Sequence, residues 1–71
     1  MFLNTQEDFA EFLRKERFER RMSQKELGQM TGLKQQYIYQ IENGKMRPRF
    51  DTINKILSAF GYCLKIVKKD E

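Results

Sequence analysis

The feature that most restricts the fold of this chain lies between Met22 and Phe50, where two helix signals stand close together. Ser23 and Glu26 form a capping-box pattern, which starts a helix. Gly32 stands where a left-handed C-terminal cap belongs, so this helix ends after about two turns. A second short helix, rich in glutamine, follows. The sequence therefore predicts two short helices joined by a tight turn and followed by a basic loop.

Helix signals also flank this pair. Asn4 and Thr5 both begin capping-box patterns, which predicts a first helix before the pair. Pro48 marks a loop, and a fourth helix follows it with apolar residues at helical spacing. The predicted boundaries are Asn4 or Thr5 to about Arg21, Ser23 to Gly32, Lys34 or Gln35 to Glu42, and Asp51 or Thr52 to Gly61.

Each predicted helix has one apolar face, so the four can share a small core. Phe12 and Phe18 are open to two interpretations, because they could join this core or be covered by a partner. The residues predicted to face inward are Phe9, Ala10, Leu13, Leu27, Met30, Leu33, Ile38, Ile41, Ile53, Ile56, Leu57 and Phe60.

The last segment, about residues 62–68, differs from the helices because it is rich in β-forming residues. A short fifth helix is the alternative. No upstream segment is predicted to be a strand, so a strand here would leave its backbone groups unpaired within the chain. Pairing with the same strand of a second copy would remove this problem and predicts a homodimer. The predicted interface residues are Tyr62, Leu64, Ile66 and Val67.

Length and composition exclude several classes of protein. The chain has 71 residues, enough for one domain with one small core. Histidine is absent and Cys63 is the one cysteine, so we expect no intrachain disulfide, metal site, cofactor or catalytic nucleophile–base pair. The lone cysteine, predicted to be an inert buried or interface residue, fits a reducing cytoplasm. No apolar run approaches the ~20 residues of a membrane span, and we expect no signal peptide at the start of the chain.

Positive charge is concentrated in one part of the chain. The net charge is +4, and the sixteen residues from Lys34 to Arg49 contribute +3 of it. A basic face on a small helical domain is typical of nucleic-acid binding. The alternative is that these charges only solvate a loop. The four cations are Lys34, Lys45, Arg47 and Arg49.

The paired short helices form a helix-turn-helix motif, whose second helix enters a DNA major groove in proteins that use it. Because Ile38 and Ile41 face the core, the polar residues between and before them are free to contact DNA. A glutamine amide carries a donor and an acceptor, which match the N6 and N7 atoms of adenine. The sequence therefore predicts a sequence-specific double-stranded DNA-binding protein that performs no covalent chemistry.

The segment Gly32–Lys45, continued through Arg47–Phe50, resembles the Xre-type helix-turn-helix regulators, which have the fold of the lambdoid phage repressor and Cro proteins. The resemblance covers roughly residues 10–61. It implies a mainly α, four-helix lambda-repressor-like domain occupying residues 1–71, with the helix-turn-helix at about 23–42. The last segment is more similar to the HipB-like antitoxins, which end in a short strand that pairs across a dimer.

The resemblance also implies roles for individual residues. Gln24 would grip a phosphate and brace the second helix of the motif. Arg17 and Glu42 would form a buried salt bridge. Tyr37 and Tyr39 depart from the phage pattern, where smaller or polar residues occur, and Tyr37 could pack either on sugar and phosphate or on neighbouring protein. The full set of expected DNA contacts is Ser23, Gln24, Lys34, Gln35, Gln36, Tyr37, Tyr39, Gln40, Lys45, Arg47 and Arg49.

These observations lead to one main hypothesis and two alternatives. The main one is a homodimeric transcriptional repressor from the cytoplasm of a bacterium, or encoded by a phage, which binds a palindromic operator with half-sites ~34 Å apart. The first alternative is an antitoxin that binds operator DNA and also neutralises a toxin protein, although the short tail after Val67 leaves little chain for toxin capture. The second is a protein-binding module that reuses the fold.

Overall fold

Residues 3–70 are described by a computed structural model, and they contain four helices as predicted. None of the helices in this part of the chain combines the length and apolar character that a membrane span requires. The helices are α1 (Gln6–Glu19), α2 (Gln24–Thr31), α3 (Gln35–Glu42) and α4 (Phe50–Ala59).

Capping boxes start the first two helices. Thr5 Oγ1 accepts from the backbone N–H of Asp8 at 3.0 Å, and the Asp8 carboxylate accepts from the Thr5 N–H at 3.2 Å. Ser23 and Glu26 make the same reciprocal pair, with both distances at 3.0 Å. The Ser23 backbone N–H donates to the Glu26 carboxylate, and hydrogen bonding with the Ser23 backbone, and secondarily with its side chain, lowers the pKa of Glu26. Gly32 closes α2 at φ 76°, so both predicted caps and the predicted turn are confirmed.

The start of α4 was predicted wrongly. The helix begins at Phe50, its N-cap is Arg49, and no side chain caps it. Asp51 and Thr52 therefore lie inside the first turn rather than before it. Thr52 is buried, and its hydroxyl accepts a hydrogen bond from the Tyr37 hydroxyl at 3.4 Å, so this side chain links α3 to α4 instead of capping.

Eight side chains form one core between the four helices, and the helical spacing of the sequence identified all of them. Phe12 packs at the edge of this core, whereas Phe18 is 62% exposed, which separates the two phenylalanines that the sequence left open. The core residues are Phe9, Leu13, Leu27, Ile38, Ile41, Ile56, Leu57 and Phe60.

Met30 was predicted to face the core and is instead 56% exposed. The buried residues of α2 are Leu27 and Gly28, so the inward face is centred between these two neighbours. At 100° per residue, Met30 lies well outside that face, and Thr31 lies close to it. The apolar pattern of the sequence did not include Gly28, so it predicted the wrong direction for the inward face of α2.

Gly28 is a point of close approach between α2 and the turn that precedes α3. A methyl group built on Gly28 would lie 2.7 Å from the backbone carbonyl oxygen of Leu33 and 3.7 Å from Ile38 Cδ1. A contact of 2.7 Å with a backbone atom cannot be relieved by rotating a side chain. Gly28 therefore sets how closely the two helices of the motif can pack.

We expect Gly28→Ala to lower the free energy of unfolding. Overpacking typically costs about 1–3 kcal/mol, which exceeds the ~1 kcal/mol that alanine normally gains over glycine inside a helix. Urea unfolding followed by circular dichroism would measure the change, with the exposed neighbour Gln29→Ala as the control. A stability gain for Gly28→Ala would mean that the carbonyl of Leu33 moves easily and that the close approach is not required.

Residues 62–70 form neither helix nor strand, so the alternative of a fifth helix is wrong. The predicted strand is also not formed within one protomer, since every regular element before it is helical. Pairing between two copies stays a prediction. Cys63, predicted to be buried or at an interface, is exposed in the protomer.

The beginning of this C-terminal segment is anchored on α1. The Tyr62 ring lies 5.7 Å from that of Phe12, and the Arg20 guanidinium lies over the Phe60 ring at 4.9 Å and the Tyr62 ring at 5.8 Å. Hydrogen bonds from Tyr62 and then from Arg20 lower the pKa of the Glu16 carboxyl. Beyond this anchor the apolar side chains are uncovered, and Ile66 is 99% exposed.

Candidate nucleic-acid interface

Helix α3 has one face in the core and one face open to solvent. Ile38 and Ile41 are fully buried. Gln35 and Gln36, in the first turn of the helix, are exposed. Tyr39 is 41% exposed, whereas Gln40 is half-buried, so Gln40 offers less free surface than the other three. The structure thus brings to the start of the helix two amides that form no hydrogen bond within residues 3–70, at the end of the helix that contacts base edges in helix-turn-helix complexes.

Tyr37 points to the other side of α3. It packs against the core, and its hydroxyl donates to Thr52 Oγ1. The sequence left open whether this ring would contact DNA or protein. The packing observed here favours the protein side, and any contact with DNA stays a prediction.

A buried ion pair holds α3 against α1. Arg17 binds the Glu42 carboxylate through two parallel hydrogen bonds, Nε to Oε2 at 2.7 Å and Nη2 to Oε1 at 2.9 Å. The two side chains are 9% and 3% exposed. Hydrogen bonding to Glu42 raises the pKa of Arg17, so the guanidinium stays charged inside the fold. This is the pair that the family resemblance implied.

The same carboxylate also receives a bond from α2. Gln24 Nε2 donates to Glu42 Oε1 at 3.2 Å, and Arg14 on α1 donates to the Glu42 backbone carbonyl. Three helices therefore meet at Glu42, and their relative orientation is set by directed hydrogen bonds. The sequence had identified Gln24 as a brace, but it had not identified Arg14, because nothing in the spacing of α1 singles out this arginine among the other charges.

Exposed cations stand at the start of α3 and in the loop that follows it. The loop after the helix turns at Gly44, which has φ 70°, and Gln6 Nε2 ties it to α1 by donating to the Met46 carbonyl at 3.1 Å. The Lys45 ammonium lies 5.7 Å from the centre of the Tyr39 ring. Both ion pairs found within residues 3–70 lie elsewhere, so the loop cations keep their charge available for an external partner. The exposed cations of this region are Lys34, Lys45, Arg47 and Arg49.

Two further features bear on the chemistry of this surface. Ser23 is exposed; its backbone N–H donates in the capping box and its hydroxyl oxygen accepts there, so the capping box leaves the hydroxyl hydrogen to donate to a phosphate. Lys55 on α4 lines the same shallow cavity as Arg47 and Arg49, and the sequence had not identified it because it is separated from the basic loop. Within residues 3–70, no group of three or more His, Cys, Asp or Glu side chains is arranged to hold a metal ion.

Comparison with known proteins agrees with this architecture. The sequence model of the helix-turn-helix family matches residues 11–63, which span all of α2, α3 and α4 and most of α1. A protein of Haemophilus influenzae described as an uncharacterized HTH-type transcriptional regulator is 41% identical over 46 residues, which cover 65% of this chain and 47% of that protein. The chain thus spans about half the length of this relative. No solved structure matches. On the extent of the family match, the chain belongs to the Xre-type helix-turn-helix family.

Proposed function

We propose that this protein is a sequence-specific, double-stranded DNA-binding transcriptional regulator. The observation that carries the proposal is the pair of exposed amides of Gln35 and Gln36, which form no hydrogen bond within residues 3–70. They stand at the start of a helix that is held in place through Glu42. A reading helix must be held rigidly, because base discrimination depends on hydrogen-bond geometry. The name of the Haemophilus influenzae relative agrees with this role.

In this proposal α3 enters the major groove with its first turn towards the bases. Each glutamine amide would form two hydrogen bonds with an adenine edge, one donated and one accepted. Lys45, Arg47 and Arg49 would contact phosphates on either side. Phosphate contacts fix the position of the protein but carry no sequence information, so they account for affinity and for its salt dependence.

We further propose that the regulator is a homodimeric repressor acting on a palindromic operator in the cytoplasm. The support is the uncovered apolar surface of the last segment, where Leu64, Ile66 and Val67 are 43%, 99% and 55% exposed. Pairing with a second copy would bury these side chains and satisfy the backbone groups of the segment. Antitoxin activity, the alternative, would instead place a toxin protein on this surface.

Selection of bound duplexes from a random DNA library, followed by sequencing, tests the proposal. Enrichment of an inverted repeat with half-sites about one helical turn apart, ~34 Å, is expected for a dimer of this kind. Light scattering at micromolar concentration should give the mass of a dimer. A monomeric protein that enriches a single half-site would contradict the proposed homodimer but support sequence-specific DNA binding. No enrichment at low salt would contradict both proposals.

A further inference from the structure

Within residues 3–70, Arg21 shares with three glycines a backbone conformation that no other residue adopts. Its φ is 53°, in the left-handed region, where the Cβ atom of an L-residue is crowded by the backbone. The other residues with positive φ within residues 3–70 are Gly32, Gly44 and Gly61. A glycine at position 21 would make the same turn without this conformational cost.

The side chain of Arg21 does not compensate for that cost inside the fold. It is exposed, and its guanidinium takes part in none of the hydrogen bonds, ion pairs or cation–π contacts found within residues 3–70. The neighbouring arginines are different. Arg17 binds Glu42, and Arg20 binds Glu16 and the Phe60 carbonyl. Arg21 thus occupies the left-handed position after the α1 C-cap, where glycine is usual, while its guanidinium is exposed and can bind an external partner.

The turn that carries Arg21 is rigidly connected to the reading helix. The Arg21 N–H donates to the Phe18 carbonyl at 3.0 Å, and the Met22 N–H donates to the Arg17 carbonyl at 2.9 Å. Arg17 Nη1 returns a bond to the Met22 carbonyl at 2.9 Å while the rest of its guanidinium holds Glu42. The position of Arg21 relative to α3 is therefore set by the same ion pair that orients α3.

The turn also leads directly into the helix that lies along the DNA backbone. In helix-turn-helix complexes the first helix of the motif crosses the sugar–phosphate backbone while the second lies in the groove. Here that first helix is α2, and Arg21 stands two residues before its N-cap, Ser23. In a complex of this kind, an exposed guanidinium at this place would stand beside the phosphates that pass the start of α2.

We propose that Arg21 contacts a DNA phosphate and so adds a sequence-independent part of the affinity. The inference rests on the proposed function. A guanidinium presents a planar fork of N–H donors that matches two phosphate oxygens, and neutralising one phosphate releases a condensed counterion. The contact would therefore appear in the salt dependence of binding and not in the base preference.

The test is Arg21→Gly, measured by fluorescence anisotropy on a labelled random-sequence duplex over a salt series, together with thermal unfolding. Affinity is expected to fall about five- to tenfold at low salt, and the slope of log K against log salt to decrease in magnitude by about 0.9. The unfolding midpoint is expected to stay unchanged or rise, because glycine relieves the left-handed strain. Loss of binding without loss of stability is the signature of a contact residue.

Two variants serve as controls. Arg21→Lys keeps the charge and should keep the wild-type slope. Lys15→Ala removes an equal charge from an exposed position two residues after the buried Leu13, hence on the opposite side of α1, and should leave the slope unchanged. An equal loss of slope for Lys15→Ala would overturn the proposal, because net charge alone would then explain the effect.

The remaining outcomes separate this inference from the proposed function. Unchanged affinity and slope for Arg21→Gly, while the wild type binds DNA with normal salt dependence, would overturn the inference and leave the function standing. A lower unfolding midpoint with an unchanged slope would also overturn it, because the arginine would then serve the fold. If the wild-type protein shows no salt-dependent DNA binding, both the inference about Arg21 and the proposed function are contradicted.

Discussion

Glu42→Ala is expected to lower the free energy of unfolding by about 3–5 kcal/mol, because it leaves a charged group buried without its partner. The Arg17 side chain is only 9% exposed, so solvent cannot replace the lost carboxylate without rearrangement. The Gln24 amide loses its acceptor at the same time. Small domains have about 5–15 kcal/mol of stability in total, so the variant should be partly unfolded at moderate temperature. Urea unfolding followed by far-UV circular dichroism measures the loss.

The double variant Arg17→Met, Glu42→Leu separates the cost of leaving the Arg17 charge without a partner from the cost of losing the packing of the Glu42 side chain. Replacing both charges with apolar groups of similar size removes the burial cost of each charge, so most of the lost stability should return. Glu11→Ala, which removes an exposed acid from α1, should change stability by no more than about 0.5 kcal/mol. If Glu42→Ala costs no more than Glu11→Ala, the ion pair does not hold the helices together.

The parts of this fold that depend on local chemistry could be predicted from the sequence. The capping boxes at Thr5 and Ser23 and the left-handed cap at Gly32 each involve residues within a few positions of one another, so their pattern is visible in the chain. The periodic apolar residues likewise identified the core. The prediction that Met30 faces inward was wrong because the inward direction of α2 depends on Gly28. The role of Gly28 is a close approach to the Leu33 carbonyl five residues later.

Helix periodicity was sufficient to predict which side chains of the candidate site are exposed. Because Ile38 and Ile41 had to face inward, the open positions of Gln35 and Gln36 followed from their spacing. The contribution of Arg14 did not follow, because it depends on the angle at which α1 meets α3. The positive φ of Arg21 did not follow either, because this position of a C-terminal helix cap is usually occupied by glycine. The conformation of the C-terminal segment could not be predicted for a different reason, because a strand requires a second strand to pair with and one chain does not supply it.

Gln36→Ala is expected to relax the base preference of the operator at one position in each half-site. This prediction rests on the proposed function. A bidentate amide–adenine pair discriminates against the wrong base by about 1–3 kcal/mol, which corresponds to roughly 5- to 150-fold in affinity. In a dimer on a palindrome both half-sites lose the contact, so the discrimination lost over the full operator is the sum of the two. Repeating the duplex selection with the variant, and measuring binding to the wild-type consensus and its single-base changes, would give the position and size of the effect. The same experiment on Gln35→Ala should relax a neighbouring position.

Arg47→Ala is the matched control for both glutamine variants, because it changes an exposed side chain that would contact a phosphate and no base. It should weaken binding to all duplexes by a similar factor, leave the consensus unchanged and reduce the salt slope by about 0.9. Amide removal should do the reverse, changing the consensus while leaving the salt slope intact. If Gln35→Ala and Gln36→Ala both keep the wild-type consensus and affinity, the start of α3 does not read the bases. The exposed amides would then only be solvated, and sequence recognition would have to come from DNA shape or from another surface.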